Sequence, residues 1–297
     1  LPTVSGNQNE IEIIIPENCD SVKNFLREIF SAPAHDLSPF EPIFDVIFLS
    51  PQQFRTQKKL HRNIFILQLD STRNILFEKQ ENIWASPQIV LRLTFSKDSF
   101  ALNFLKSYAE KIVEIFQESE FKRLNKVFQQ IEDKNASEFL LKKFHFISLI
   151  PKKYQKTKDS LNFIWFLNEN SEKNMGFFIY SLNFLQLSEK TFVYRRDSVL
   201  KRNVFGNLPH SFMKTETRFP LYFSEKKLKN KKIYIVKGLW KIENDFMGGV
   251  FVSYLLSCGK SNSYVVLDGY VYAPNQKKRS LLQEVESLFY FISVNSE

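Results

Sequence analysis

Cysteine is scarce in this chain: its 297 residues hold two, Cys19 and Cys258, far apart and in no metal-binding or redox spacing. That excludes a disulfide-stapled scaffold and a Cys-x-x-Cys centre; two unpaired, buried thiols are the favoured reading, and a single Cys19–Cys258 disulfide in an exported chain is the alternative. The four histidines, His35, His61, His145 and His210, are isolated from one another, so no His-x-x-His or Cys/His metal cluster is expected. Glycine is also rare, at 8 residues, and the Walker and dinucleotide glycine patterns are missing. Gly-x-Ser-x-Gly and His-Glu-x-x-His are absent too, which argues against the common hydrolases, metalloproteases and nucleotide enzymes. No apolar run approaches the roughly 20 residues that span a bilayer as a helix. We expect no cofactor, no metal and no assignable catalytic residue.

What the chain has in quantity is apolar residues and charge, at 43% and 25%, values that fit a globular protein and exclude disorder. Its net charge of +9 is unevenly distributed. Residues 142–297 carry 25 Lys and Arg against 13 Asp and Glu, whereas residues 1–141 carry 16 against 19. This break places a domain boundary near residue 141. We expect residues 1–9, rich in turn formers, to be a flexible tether, residues 10–141 an N-terminal α+β unit, and residues 142–297 a basic C-terminal α+β unit. The chain starts at Leu1 instead of a methionine, from which we expect an export signal to have been removed.

Periodicity supplies the elements. A strand at 11–15 is stopped by Pro16, and Asp20 or Ser21 caps a helix whose stripe is Val22, Phe25, Leu26, Ile29 and Phe30. Strands are expected at 43–49, 63–69, 74–78 and 88–95, with a brief helix opening at Ser50-Pro51. A long helix follows from Ser96 to about 131, then a short one at 137–143. The second half reads as strands at 144–150, 162–167 and 176–183, a helix at 189–202, strands near 211–222, 231–242, 250–258 and 263–272, and a terminal amphipathic helix. Parallel βαβ repeats are not apparent, which argues against a dinucleotide fold; helices packed on antiparallel or mixed sheets are expected in both units.

Five separated segments carry a family likeness: His61-Arg62-Asn63-Ile64-Phe65, Trp84-Ala85-Ser86-Pro87-Gln88, Arg195-Arg196-Asp197-Ser198-Val199-Leu200, the block from Gly238 to Tyr254, and Gly269-Tyr270-Val271-Tyr272-Ala273-Pro274. In this order the chain resembles, over residues 10–292, the Bacteroidetes lipoprotein family catalogued as domain of unknown function 4837. The resemblance implies an exported, lipid-anchored envelope protein and brings no catalytic residues with it. The second half also resembles, more weakly, the sandwiches of the Mog1/PsbP type, which are binding modules.

Within these segments, Gly248 and Gly249 mark a tight turn, a bulge or a close backbone approach. Trp240 reads as a core anchor with one edge near the surface, and Asp245 as a turn residue in preference to an acid–base group. Arg195 and Arg196 either grip a carboxylate or phosphate of a partner or, the favoured reading, form an ion pair with Asp197 or another carboxylate. His61 stands just before a strand, where it could line a cleft. The sequence therefore supports a non-enzymatic envelope binding or scaffold module. Its candidate surface is Arg195, Arg196, Asp197, Trp240, Asp245, Gly248, Gly249 and His61, and its expected partner is an envelope protein or glycopolymer. A hydrolase using some of His61, His210, Asp197, Asp245 and Glu243 is the alternative. Nucleic-acid binding is the least supported and is not expected.

Overall fold

A computed structural model of the chain describes residues 1–34, 40–144, 146–228, 231–257, 262–290 and 292–294. His35, His145 and Cys258 lie outside the described residues. The chain forms two compact α+β units, one of residues 1–34 and 42–123, the other of residues 35–41 and 124–297.

The N-terminal unit holds β1 (Glu10–Ile14), α1 (Asp20–Phe30), β2 (Asp45–Leu49), β3 (Asn63–Leu69), β4 (Ile75–Glu81), β5 (Ile89–Phe95) and the start of the long helix α2 (Asp98–Gln130). Its five-stranded sheet has the order β2-β1-β3-β5-β4. β1 lies parallel to both β2 and β3, β3 is parallel to β5, and only β4 runs antiparallel. This corrects the expectation of no parallel βαβ unit, because β1, α1 and β2 form one. Alternation along a strand reports which face is buried and carries no information about the direction of its neighbour. One sheet face is closed by the apolar stripe of α1 (Val22, Leu26, Phe30) together with Phe65, Leu91 and Phe116. No helix opens at Ser50-Pro51; the segment runs through turns to a single 3-10 turn at Lys58–Leu60.

Residues 2–5, expected to belong to a tether, are hydrogen-bonded to this unit. Ser5 N donates to Leu60 O at 2.8 Å, Arg62 N to Ser5 O at 3.1 Å, and Ser86 N to Pro2 O at 2.9 Å. Turn-forming composition describes the segment's lack of period, and backbone pairing needs no period.

The C-terminal unit contains α3 (Lys134–Phe144), β6 (Phe146–Ile147), β7 (Gln155–Asp159), β8 (Phe163–Glu169), β9 (Asn174–Asn183), α4 (Glu189–Asn203), β10 (Met213–Thr215), β11 (Tyr222–Leu228), β12 (Lys231–Ile242), β13 (Gly248–Ser257), β14 (Ser263–Tyr272), α5 (Arg279–Tyr290) and β15 (Ser293–Val294). Its large sheet is antiparallel, with the order β10-β12-β13-β14-β9-β8-β7 and β11 sharing the free edge of β12. Alternate residues of β9, β13 and β14 serve opposite faces, as a period of two requires. Phe178, Tyr180, Phe251, Leu255, Val266 and Tyr270 pack on one face with Phe192 and Leu200 of α4. On the other face Phe177 and Tyr254 meet Phe289 of α5. Each helix also sends one polar anchor to its face of the sheet: Arg196 of α4 to Asp268, and Glu286 of α5 to Lys237 and Tyr254.

Candidate functional site

The hairpin joining β12 to β13 fixes the position of most residues singled out in the C-terminal unit. Its turn is made by Asn244, whose φ of 62° places it in the left-handed region that Asn tolerates, and Asp245 caps it by accepting from Phe246 N at 2.6 Å. The two glycines thus serve neither as the turn nor as left-handed residues. Gly249 is the second residue of β13, opposite Trp240, and a Cβ there would overlap the Val271 carbonyl oxygen of β14. Close approach of the two strands is its physical requirement. A Cβ at Gly248 would lie 2.8 Å from the Trp240 carbonyl oxygen.

Trp240, which is 2% exposed, donates its Nε1–H to Val250 O at 3.1 Å and stands edge-on to Tyr270, with ring centres 5.8 Å apart. It floors a small, solvent-open cleft of about 180 Å³ on the α4 side of the sheet. Tyr272 and Met247 line it from the ends of β14 and the hairpin, Trp165 from within β8, Glu169 and Asn174 from the facing ends of β8 and β9, and Phe205 from the segment after α4. A hydrogen-bonded chain ties these elements together. Trp165 Nε1 donates to the Tyr270 hydroxyl at 3.2 Å, which donates to Asn174 Oδ1 at 2.9 Å, and Asn174 Nδ2 donates to Glu169 Oε1 at 2.8 Å. Burial pushes the Tyr270 phenol well above its ordinary pKa, with Glu169 adding to the shift, so it stays protonated and able to donate. Phe205 and Phe246 project from the two flanking loops and are largely exposed.

Beneath the cleft, Arg196 is fully buried and is not available to a partner. Its Nε and Nη2 donate to Asp268 at 2.9 and 3.2 Å, its Nη1 donates to Thr215 Oγ1 at 3.0 Å, and its guanidinium lies 3.8 Å from the Phe251 ring centre. Asp268 also accepts from the hydroxyls of Tyr180 and Ser253, each at 2.9 Å. Burial alone would lower the Arg196 pKa, but the Asp268 charge, with Tyr180 and Asp197, holds it above its ordinary value. Asp197 accepts from Thr215 N and Oγ1 at 2.8 and 2.7 Å, and lies 3.9 Å from Arg196. This fully bonded network braces α4 on the sheet. Arg195 faces solvent on the same helix.

His61 belongs to the other unit, where it is 3% exposed. Its Nδ1 lies 3.0 Å from the Asn63 carbonyl oxygen, and its Nε2 is buried with no partner among the described residues, under Gly6. Gly6 has φ of +87° and leaves no room for a Cβ above the ring. The segments 61–65 and 84–88 meet around this position. Gln88 Nε2 donates to the carbonyls of Lys59 and His61 at 2.7 and 2.8 Å, and Arg123 Nη1 donates to Pro87 O at 3.2 Å.

Burial pushes the His61 imidazole below its ordinary pKa of 6.5, and Arg62 adds to this, against Glu12, the Asn63 backbone and Glu10. A depressed histidine leaves the fold neutral while the unfolded chain takes up a proton below pH 6.5. Its stabilising contribution is therefore full above pH 6.5 and declines as the pH falls towards the folded pKa, by at most about 1.4 kcal/mol per pH unit. Urea unfolding between pH 7 and 5 is expected to show this decline, and His61→Gln to flatten it. An equal decline in both proteins would contradict the assignment.

The other side chains named for a hydrolase are engaged separately. Glu243 pairs with Lys214 at 2.7 Å, Asp197 with Thr215, and His210 is exposed in a neighbouring hollow beside Lys201 and Phe212. Of that set, only Asp245 lines the cleft. Among the described residues no group of His, Cys, Asp and Glu is placed to hold a metal ion, and no helix is long and apolar enough to cross a membrane. Cys19 is buried and free, with its thiol donating to Asp98 at 3.4 Å; burial, helped by Asp98, pushes its pKa up to about 11. Trp165, Glu169 and Tyr272 escaped the sequence reading as site residues. Tyr272 stood in the quoted segment 269–274, where its spacing of two from Tyr270 puts it on the same face, but Glu169 and Trp165 had no such marker.

The chain's relatives agree with two separate units. It belongs to the family described as Domain of unknown function (DUF4837), whose model matches residues 133–290. A second family model, also described as a domain of unknown function (DUF8532), matches residues 4–129. The likeness expected over residues 10–292 is thus divided between two families. No curated protein matches the chain. Among solved structures, the Saccharomyces cerevisiae Ran-binding protein Mog1p is similar over 50% of this chain and 90% of its own, at 9% identity and a TM-score of 0.33. A Bacteroides thetaiotaomicron structure is similar over 52% of this chain and 46% of its own, at 16% identity and a TM-score of 0.27. Both scores are too low to bear on the fold, which rests on this chain's own sheets and helices.

Proposed function

We propose that this chain is a binding protein of the cell envelope and that the aromatic cleft of its C-terminal unit is its ligand site. Export, and a lipid on a cysteine preceding this sequence, are part of the proposal, as is a peptide or glycan of the envelope as ligand. The observation that carries the reading is the cleft. Two of the family-bearing segments, 238–254 and 269–274, meet there, and its lining is aromatic with a few convergent polar groups. That lining contains no serine, cysteine, threonine, histidine or lysine to serve as nucleophile or base, which favours binding over acyl or phosphoryl transfer.

The test is titration with soluble peptide and glycan fragments of the envelope. Trp165→Ala is expected to weaken binding by about tenfold or more with the near-UV circular dichroism of the unit retained. Unchanged affinity in that variant would remove the cleft from the account. The second reading is glycoside hydrolysis, because Glu169 and Asp245 put two carboxylates in one aromatic cleft. Turnover of envelope glycans that Glu169→Gln abolishes would establish that reading in place of simple binding.

A further inference from the structure

The cleft carries the opposite charge to the unit that holds it. Residues 142–297 have 25 Lys and Arg against 13 Asp and Glu, yet the cleft is lined by two carboxylates and by no lysine, arginine or histidine. Cations close to the hairpin are already taken: Lys214 by Glu243 at 2.7 Å and Lys241 by Glu216 at 3.3 Å. Glu169 and Asp245 have no basic partner among the described residues. Each spends one oxygen on a neutral donor, Asn174 Nδ2 and Phe246 N respectively, and keeps the other free. Of the cleft's aromatic rings, Trp240 and Tyr270 are buried, and Trp165 and Tyr272 are partly open. Elsewhere Lys59 stands over Trp84 at 5.6 Å and Arg196 over Phe251 at 3.8 Å, but no described cation of the chain covers Trp165, Trp240, Tyr270 or Tyr272.

Two free carboxylates beside the faces and edges of aromatic rings make a receptor for a positive charge on an apolar stem. The rings attract a cation through their quadrupoles and bury its methylenes, and the carboxylates neutralise it. We infer that the cleft takes the ammonium group of an amine-bearing peptide side chain, its aliphatic stem against Trp165 and Tyr272 and its charge between Glu169 and Asp245. A zwitterionic lipid headgroup fits less well, because its phosphate would meet carboxylates and no basic group in the lining. This inference rests on the reading of the cleft as the ligand site.

Tryptophan-fluorescence titrations of the whole chain test it with four probes: Nα-acetyl-lysine methylamide, its Nε-trimethyl derivative, its neutral Nε-acetyl derivative and phosphoethanolamine. The two cationic lysine probes are expected to bind about tenfold more tightly than the Nε-acetyl probe, a preference that added salt weakens. The Glu169→Gln/Asp245→Asn double variant, which changes no core residue, is expected to erase that preference while keeping its near-UV circular dichroism. Equal or tighter binding of the neutral probe overturns the cation inference and leaves the cleft as a ligand site. Tighter binding of phosphoethanolamine overturns the peptide assignment in the same way. No response to any probe overturns the inference and withdraws the support it lends the cleft, whose reading then stands or falls with the envelope-fragment titration of Trp165→Ala.

Discussion

Asp268→Ala is expected to destabilise the C-terminal unit by about 3–5 kcal/mol, measured by urea unfolding. Arg196 and Asp268 are both fully buried, and the substitution leaves the guanidinium with Thr215, the Phe251 ring and the more distant Asp197 carboxylate at 3.9 Å. The hydroxyls of Tyr180 and Ser253 lose their acceptor at the same time. The cost comes from stranding these groups and not from losing a favourable pair, because removing two charges from water offsets most of what their attraction returns. Arg196→Met/Asp268→Leu is accordingly expected to recover the share of the loss owed to the stranded guanidinium, with the Tyr180 and Ser253 hydroxyls still lacking their acceptor. A cost below about 1 kcal/mol in Asp268→Ala would mean that water reaches this network, contrary to the packing described.

Gly249→Val is expected to cost about 3 kcal/mol or more and to disorganise the cleft floor. The added Cβ would run into a backbone oxygen of the adjoining strand, and a backbone cannot turn aside as a long side chain can. The same Cβ would press on Trp240 Nε1, 3.1 Å away, whose hydrogen bond to Val250 O holds the indole in place. Unfolding measurements should show the loss, and the near-UV circular dichroism of Trp240 should change with it. Gly248→Ala, at the strand end with a looser approach, should cost less. A Gly249 variant as stable as the native chain would show that β13 and β14 spread freely.

Much of this architecture is legible in the residues. The stripe of α1 follows from apolar spacing because that helix buries one face, while β5 and β14 read as near-continuous apolar runs because residues on both of their faces are buried. The misses have specific causes. β7 reads Gln-Lys-Thr-Lys-Asp and lies at the sheet edge, where charge protects the unpaired backbone and erases alternation. The strand expected at 211–222 divides into β10 and β11, with Pro220, which has no N–H to donate, in the break. The strand expected at 144–150 shrinks to Phe146–Ile147 because α3 continues to Phe144.

The site was less legible than the fold. Local chemistry identifies Trp240 as a core anchor with one edge near the surface, but it cannot join it to Trp165 and Glu169 of β8, which lie across three intervening strands in the sheet. Arg196 and Asp268 are 72 positions apart, so the ion pair favoured for Arg196 has its main partner where no local reading would find it. Asp197, the nearer candidate, turns instead to Thr215.

The central claim is that the cleft of the C-terminal unit is where this protein binds. Three tryptophans test it directly, because Trp165 and Trp240 line the cleft while Trp84 belongs to the N-terminal unit. The measurement is the indole N–H resonances of the 15N-labelled chain, assigned by single substitution, during titration with a lysine-bearing peptide. The account predicts progressive, saturable shifts of Trp165 and Trp240 with Trp84 unmoved. Saturable binding that shifts Trp84 alone, or shifts none of the three, would contradict it.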